Sequence, residues 1–118
     1  MRKPPLGPTT PHRVLPCVLL VGIDSSLEPL CRQSAALAAG ARLETCDMAS
    51  VTTRAAELRP FALVVPSEIL DFDPAEFVAL ARTVNATLIP LDSARASAPG
   101  ARAELVKALR DAHQRRAT

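Results

Sequence analysis

Aromatic residues are almost missing from this chain: no Trp, no Tyr and three Phe in 118 residues. The core must therefore be aliphatic, and few rings remain as stacking platforms for single-stranded nucleic acid. Imidazole is scarce too. His12 and His113 are the two histidines, and neither has a carboxylate or nucleophile at a spacing suited to acid–base work. Both read as solvent-exposed bystanders, and no enzymatic activity is expected. The three cysteines, Cys17, Cys31 and Cys46, are too far apart for a metal knuckle. They read as small buried hydrophobes in a reducing compartment, with no metal and no cofactor expected. No apolar run approaches the roughly 18 residues of a membrane span, and the early prolines interrupt any signal-peptide core. The expectation is a cytoplasmic protein with no membrane partner.

A charge excess of one sign is also lacking. The formal net charge is +2, but Arg2, Lys3 and Arg13 stand in the first 13 residues with no acid beside them. Removing those three from the 14 basic residues leaves 11 against 12 acids. A folded part so close to neutrality is not the footprint of a nucleic-acid binder. Residues 1–13 also hold Pro4, Pro5, Pro8 and Pro11, a composition suited to an extended, disordered basic arm. Residues 14–118 then form one domain.

What the chain does have is short apolar runs alternating with helical patterns. Residues 14–23 form a first strand, entered at Pro16 and left at Gly22. Ser25 and Glu28 have capping-box spacing for a helix, whose stripe is Leu27, Leu30, Cys31, Ser34, Leu37 and Ala38, ended by Gly40. Residues 42–46 alternate as a strand near a sheet edge. Ser50 heads a second helix with Val51, Ala55 and Leu58 inward, closed by Pro60. Residues 61–65 are apolar throughout and read as the central strand, covered on both faces. Residues 69–73 read as a loop. Asp73-Pro74-Ala75-Glu76 is a clear helix start, followed by the stripe Phe77, Leu80, Ala81 and Val84. Residues 86–91 are a fourth strand, which Pro90 assigns to an edge. A small-residue loop leads to a last helix from Ala101, with Leu105, Ala108, Leu109 and Ala112 inward. This order predicts an α/β three-layer sandwich of flavodoxin-like type, with a four-stranded parallel sheet in the order 2-1-3-4.

From about Val14 to Arg116 the chain resembles a response-regulator receiver domain. The resemblance rests on Pro60-Phe61-Ala62-Leu63-Val64-Val65, on the loop and amphipathic helix after it, on Val18-Leu19-Leu20-Val21, and on Ala86-Thr87-Leu88-Ile89 leading to Asp92-Ser93. It implies a pocket at the carboxyl ends of the strands for a phosphoacceptor aspartate, metal-holding acids, a hydroxyl and a lysine. Here Pro66 takes the acceptor's place, and Gly22 and Ile23 take those of the acids, leaving Asp24 alone. Ser93 matches the hydroxyl, with Asp92 the competing alignment, and Lys107 falls inside the last helix. The region of a fourth helix and fifth strand is missing, because residues 92–100 are too few for a crossover and a strand. The resemblance therefore implies a shortened receiver-like domain that cannot be phosphorylated.

Three functions follow as expectations. The first is a non-catalytic adaptor or scaffold module in signalling. It would bind a protein partner, or itself, through the exposed fourth-strand edge and the last helix, at Leu88, Pro90, Leu91, Leu105 and Leu109. The second is a small-ligand or phosphate-binding module, with Asp24, Ser25, Ser26, Ser67, Asp92 and Ser93 lining the strand-end crevice. The third, a phosphocarrier similar to the sugar-transport IIB proteins, is set aside because their nucleophilic cysteine follows the first strand, where this chain has Gly22.

Overall fold

Five-residue runs that are buried throughout become the two inner strands. In the computed structural model, which describes residues 15–22 and 25–117, β1 spans Cys17–Val21 and β3 spans Ala62–Pro66, and every residue of both is buried. The outer strands are β2 (Arg42–Cys46) and β4 (Thr87–Leu91), which alternate or expose a residue. The order is β2-β1-β3-β4 and every pairing is parallel. The segment predicted to be central is therefore inner, and Pro90 lies on an edge strand.

Alternation of side chains across the pleat divides the core in two. On one face Val18, Leu20, Ala62, Val64, Ile89 and Leu91 pack against helices α1 (Glu28–Ala39) and α5 (Ala101–Ala117). On the other, Leu19, Val21, Leu63 and Val65 pack against α2 (Val51–Leu58) and α4 (Pro74–Thr83). The result is the expected three-layer sandwich, with no further strand between β4 and α5. Gly40 closes α1 in the left-handed region at φ 60°, donating its N–H to the Ala36 carbonyl at 2.9 Å. Asp73 caps α4 as its sequence predicts, accepting the Glu76 N–H at 3.3 Å.

Several local expectations need correction. Residues 69–73 are not all loop: α3, a single turn over Ser67–Leu70, follows β3 without a spacer and takes in Ile69 and Leu70. Helix α1 begins at Glu28 after a tight 3-10 turn over Ser25–Leu27, so Ser25 does not stand at its cap position. Ser50 makes no cap bond to α2. Asp47 instead accepts its N–H at 2.9 Å and its hydroxyl at 2.8 Å, which holds the Asp47 carboxyl below its ordinary pKa. The stripe of α1 runs through Ala35, while Leu37 is 60% exposed. His113 is no bystander: it is half-buried and meets the Phe61 ring edge-on at 5.0 Å. The basic arm and His12, with Ile23 and Asp24, lie outside the described residues.

Candidate functional site

In a parallel α/β sheet, loops that carry chemistry gather at the carboxyl ends of the strands. Here those ends are Gly22 after β1, Pro66 at the end of β3 and Leu91 at the end of β4. Pro66 is buried and pairs with Leu91. It offers no heteroatom in its side chain to attack, ligate or titrate. Because α3 starts at the next residue, Ile69 is brought over Gly22. A Cβ built on Gly22 would lie 2.9 Å from Ile69 Cδ1 and 3.8 Å from Pro66 Cγ. Gly22 also has φ 120°, where a side chain is strained. Its N–H donates to the Cys46 carbonyl at 2.7 Å. Gly22, Pro66 and Ile69 thus form an apolar contact in the middle of the crevice that the receiver resemblance would use for a phosphoryl group.

Three of the polar side chains around this contact, Glu68, Asp92 and Ser93, are already hydrogen-bonded. The Ser93 hydroxyl donates to Glu68 Oε2 at 2.8 Å, bridging the end of β4 to α3. Asp92 Oδ1 accepts the Ala94 N–H at 3.0 Å. Ser67 is half-buried in the first position of α3. Glu68 and Asp92 are exposed carboxylates, and Lys107 lies on α5, exposed. Of the sequence-predicted pocket, then, the structure brings Gly22 and Pro66 together, holds Asp92 in a local turn and ties Ser93 to Glu68.

The thiols are poorly suited to nucleophilic work. Burial pushes Cys31 up to about 12 and Cys46 up to about 11, with Glu28 and Asp47 adding to the rise. Burial also raises Cys17, the first residue of β1, at the opposite end of the strand from Gly22. A thiol must ionise to attack, so such shifts leave it inert near neutrality.

The region expected to contact a partner is placed differently from its sequence reading. Leu105 is 4% and Leu109 0% exposed, and Leu91 is buried with them, so all three are core residues: Leu109 is closed off from any partner, and Leu91 and Leu105 offer only the floor of a groove. Leu88 is half-buried and packs on the α4 face, while Pro90 is exposed. Between the end of β4 and α5 lies a groove of about 250 Å³, floored by Leu91 and Leu105 and walled by Asp92, Arg95, Ala96 and Glu104. Sequence reasoning missed both Ile69 over Gly22 and the Glu68–Ser93 bond. A Ser-Glu pair directly after a strand was the available sign of a helical turn there.

No family model matches the chain, and no curated protein matches it. Among solved structures it is similar to the lactose-specific IIB component domain of the phosphoenolpyruvate:carbohydrate phosphotransferase system from Streptococcus pneumoniae. The TM-score is 0.54 at 9% identity, over 88% of this chain and 96% of that one. At such identity the likeness shows the fold alone: a four-stranded parallel sheet in a three-layer α/β sandwich, compatible with the flavodoxin-like architecture. No helix among the described residues is long and apolar enough to cross a membrane.

Proposed function

We propose that the chain is a non-catalytic protein-interaction module, an adaptor for cytoplasmic signalling built on a shortened receiver-like fold. One observation carries the reading: the inner strand β3 ends in buried Pro66, and Ile69 packs over Gly22 beside it. An oxygen nucleophile at the end of β3 is replaced by a ring carbon, and the space a phosphoryl group would need is taken by an isoleucine. The phosphate-binding alternative gains no support from a crevice whose described polar side chains include the carboxylates of Glu68 and Asp92, since an anion needs donors there.

The interacting surface of this module is the groove between β4 and α5 rather than the strand edge itself. Residues along a parallel strand direct their backbone groups alternately to either side. The Thr87 N–H donates to the Phe61 carbonyl at 2.9 Å, on the β3 side. Thr87, Ile89 and Leu91 therefore serve the ladder, and Leu88 and Pro90 face the open edge. Pro90 has no N–H, which leaves the Leu88 N–H as the sole donor that β4 offers to an added strand. An edge so depleted resists strand addition, and recognition there falls to side chains seated in the groove.

The test is direct. Incubation of the protein with acetyl phosphate and Mg²⁺, followed by intact mass measurement, is expected to leave the mass unchanged. A phosphoryl adduct that survives to detection and maps to residues 66–73 or 92–93 overturns the reading.

A further inference from the structure

The chain exposes one of its three phenylalanines almost completely. Phe72 is 81% exposed, in a protein otherwise so poor in rings that Phe61 and Phe77 are both buried. Its turn is fixed by the backbone. The Asp71 N–H donates to the Ser67 carbonyl at 2.9 Å, the Phe72 N–H to that of Ile69 at 3.1 Å, and the Asp73 N–H to that of Leu70 at 3.2 Å. The ring is thus held out from a pre-formed turn, which lowers the ordering cost of binding through it. The next residue, Asp73, stands at the rim of a pocket of about 220 Å³ between α2 and α4. Met48, Val51, Phe77 and Leu80 line it, and Glu76 shares the rim. Met48 is itself 45% exposed. An exposed ring and a recess thus follow one another along the chain, joined at Asp73.

Charge decides what fits them. Between residues 67 and 81 the sequence holds Glu68, Asp71, Asp73 and Glu76 and no base, and Asp47 adds a fifth carboxylate next to Met48. The nearest guanidinium in α2, Arg54, is engaged by Glu57 at 3.1 Å and Glu44 at 3.4 Å. A second copy of this surface would set one acidic rim against another, and like charges across an interface are costly. We propose that Phe72 and the α2–α4 pocket dock a cationic amphipathic segment of another protein. Its large aliphatic side chain fills the pocket, an apolar socket takes Phe72, and flanking Lys or Arg side chains meet the carboxylates. Aromatic anchors of this kind carry a large share of binding energy, while the charges set specificity and on-rate. The surface is separate from the β4–α5 groove, so its loss leaves the adaptor reading of that groove intact.

The full-length protein is titrated against a fluorescein-labelled amphipathic Leu–Lys peptide, with a Leu–Glu peptide of the same pattern as its counterpart, read by anisotropy. Saturable binding of the Leu–Lys peptide is expected, weakening as salt rises, with none for the Leu–Glu peptide. Phe72→Ala removes an exposed ring without touching the core, so the variant folds, and binding should fall at least tenfold. Asp71→Lys should weaken binding and flatten its salt dependence. Equal affinity of wild type and Phe72→Ala for the Leu–Lys peptide overturns the proposal, as does absence of saturable binding. A concentration-dependent dimer in light scattering that Phe72→Ala abolishes also overturns it, by assigning the surface to a second copy. Recovery of binding only after residues 1–13 are deleted would make the chain's own basic segment the occupant and overturn it likewise.

Discussion

The two open edges of the sheet are guarded by different means. On β2, the Arg42 N–H donates to the Pro16 carbonyl at 3.0 Å and the Cys46 carbonyl accepts from Gly22. Arg42, Glu44 and Cys46 therefore serve the ladder, and Leu43 and Thr45 turn two N–H groups outward. That edge retains its donors and relies on charge: Glu44 is paired with Arg42 and lies 3.4 Å from Arg54 on α2. On β4 the second outward donor is deleted covalently, by Pro90. Salt weakens the first device and leaves the second untouched. The difference shows how one parallel sheet can be left open on both sides without becoming a template for strand addition.

The largest expected effect comes from separating β4 from the helix that backs it. Leu109 is fully buried in the same cluster as Ile89 and Leu91. Leu109→Ala leaves a cavity between α5 and the β4 side of the sheet and should cost about 2–5 kcal/mol. Urea unfolding gives the total. Amide exchange should quicken in β4 before β2, and uniform quickening would show that the two edges are not independent.

Alkali acts on the other half. Cys17 lies on β1, Cys31 on α1 and Cys46 on β2, and none of the three is on β4, α4 or α5. Burial holds Cys31 at about 12 and Cys46 at about 11, against an ordinary thiol value of 9.0. The folded state therefore keeps protons that the unfolded chain releases. The resulting stability is fully present below pH 9 and is lost as pH rises toward 11 and 12. Each unit above 9 should remove about 1.4 kcal/mol per thiol that stays protonated in the folded protein. Chemical denaturation at pH 7, 9 and 10.5 should show that fall, and Cys31→Ala should reduce it, having paid its own cost already at pH 7.

How much of this was legible beforehand follows from where the information resides. Strand order and both inner strands could be read from runs such as Leu63-Val64-Val65, because complete burial demands unbroken apolar sequence. The α4 start was legible because Asp73 and Pro74 each favour a single local geometry. By contrast Leu109 read both as inward and as partner surface, and only the first holds, since periodicity identifies an inward stripe without saying what covers it. Ile69 over Gly22 was invisible for a related reason: their contact joins β1 to α3 across the sheet, and no local pattern encodes it. Phe72 was passed over because an exposed ring and a buried one look alike in one dimension.

Pro90→Thr tests the proline device itself. The residue is exposed and its nitrogen faces away from β3, so the substitution breaks no ladder bond and should change the urea midpoint little. It returns an N–H to the outward edge, giving β4 the two donors that β2 has. Association in light scattering should rise with concentration for the variant and not for the wild type. If both stay monomeric, the groove and the 92–100 loop shield the edge sterically and the proline is incidental.

The smallest effect belongs to the charged edge. Arg42, Glu44 and Arg54 are each about one-third exposed on their side chains, and pairs of that kind contribute roughly 0.2–1 kcal/mol. Glu44→Gln should therefore lower stability by less than about 1 kcal/mol, and high salt should erase most of the difference. Its informative consequence lies in association rather than stability. With Glu44 neutral, Arg42 and Arg54 lose their shared carboxylate and the local net charge rises by one. Two β2 edges should then still repel, and self-association through β2 should not appear, with or without Pro90→Thr. If the two substitutions instead prove non-additive in association, β2 of one copy is pairing with β4 of the next, and the two guards protect a single head-to-tail contact rather than two separate edges.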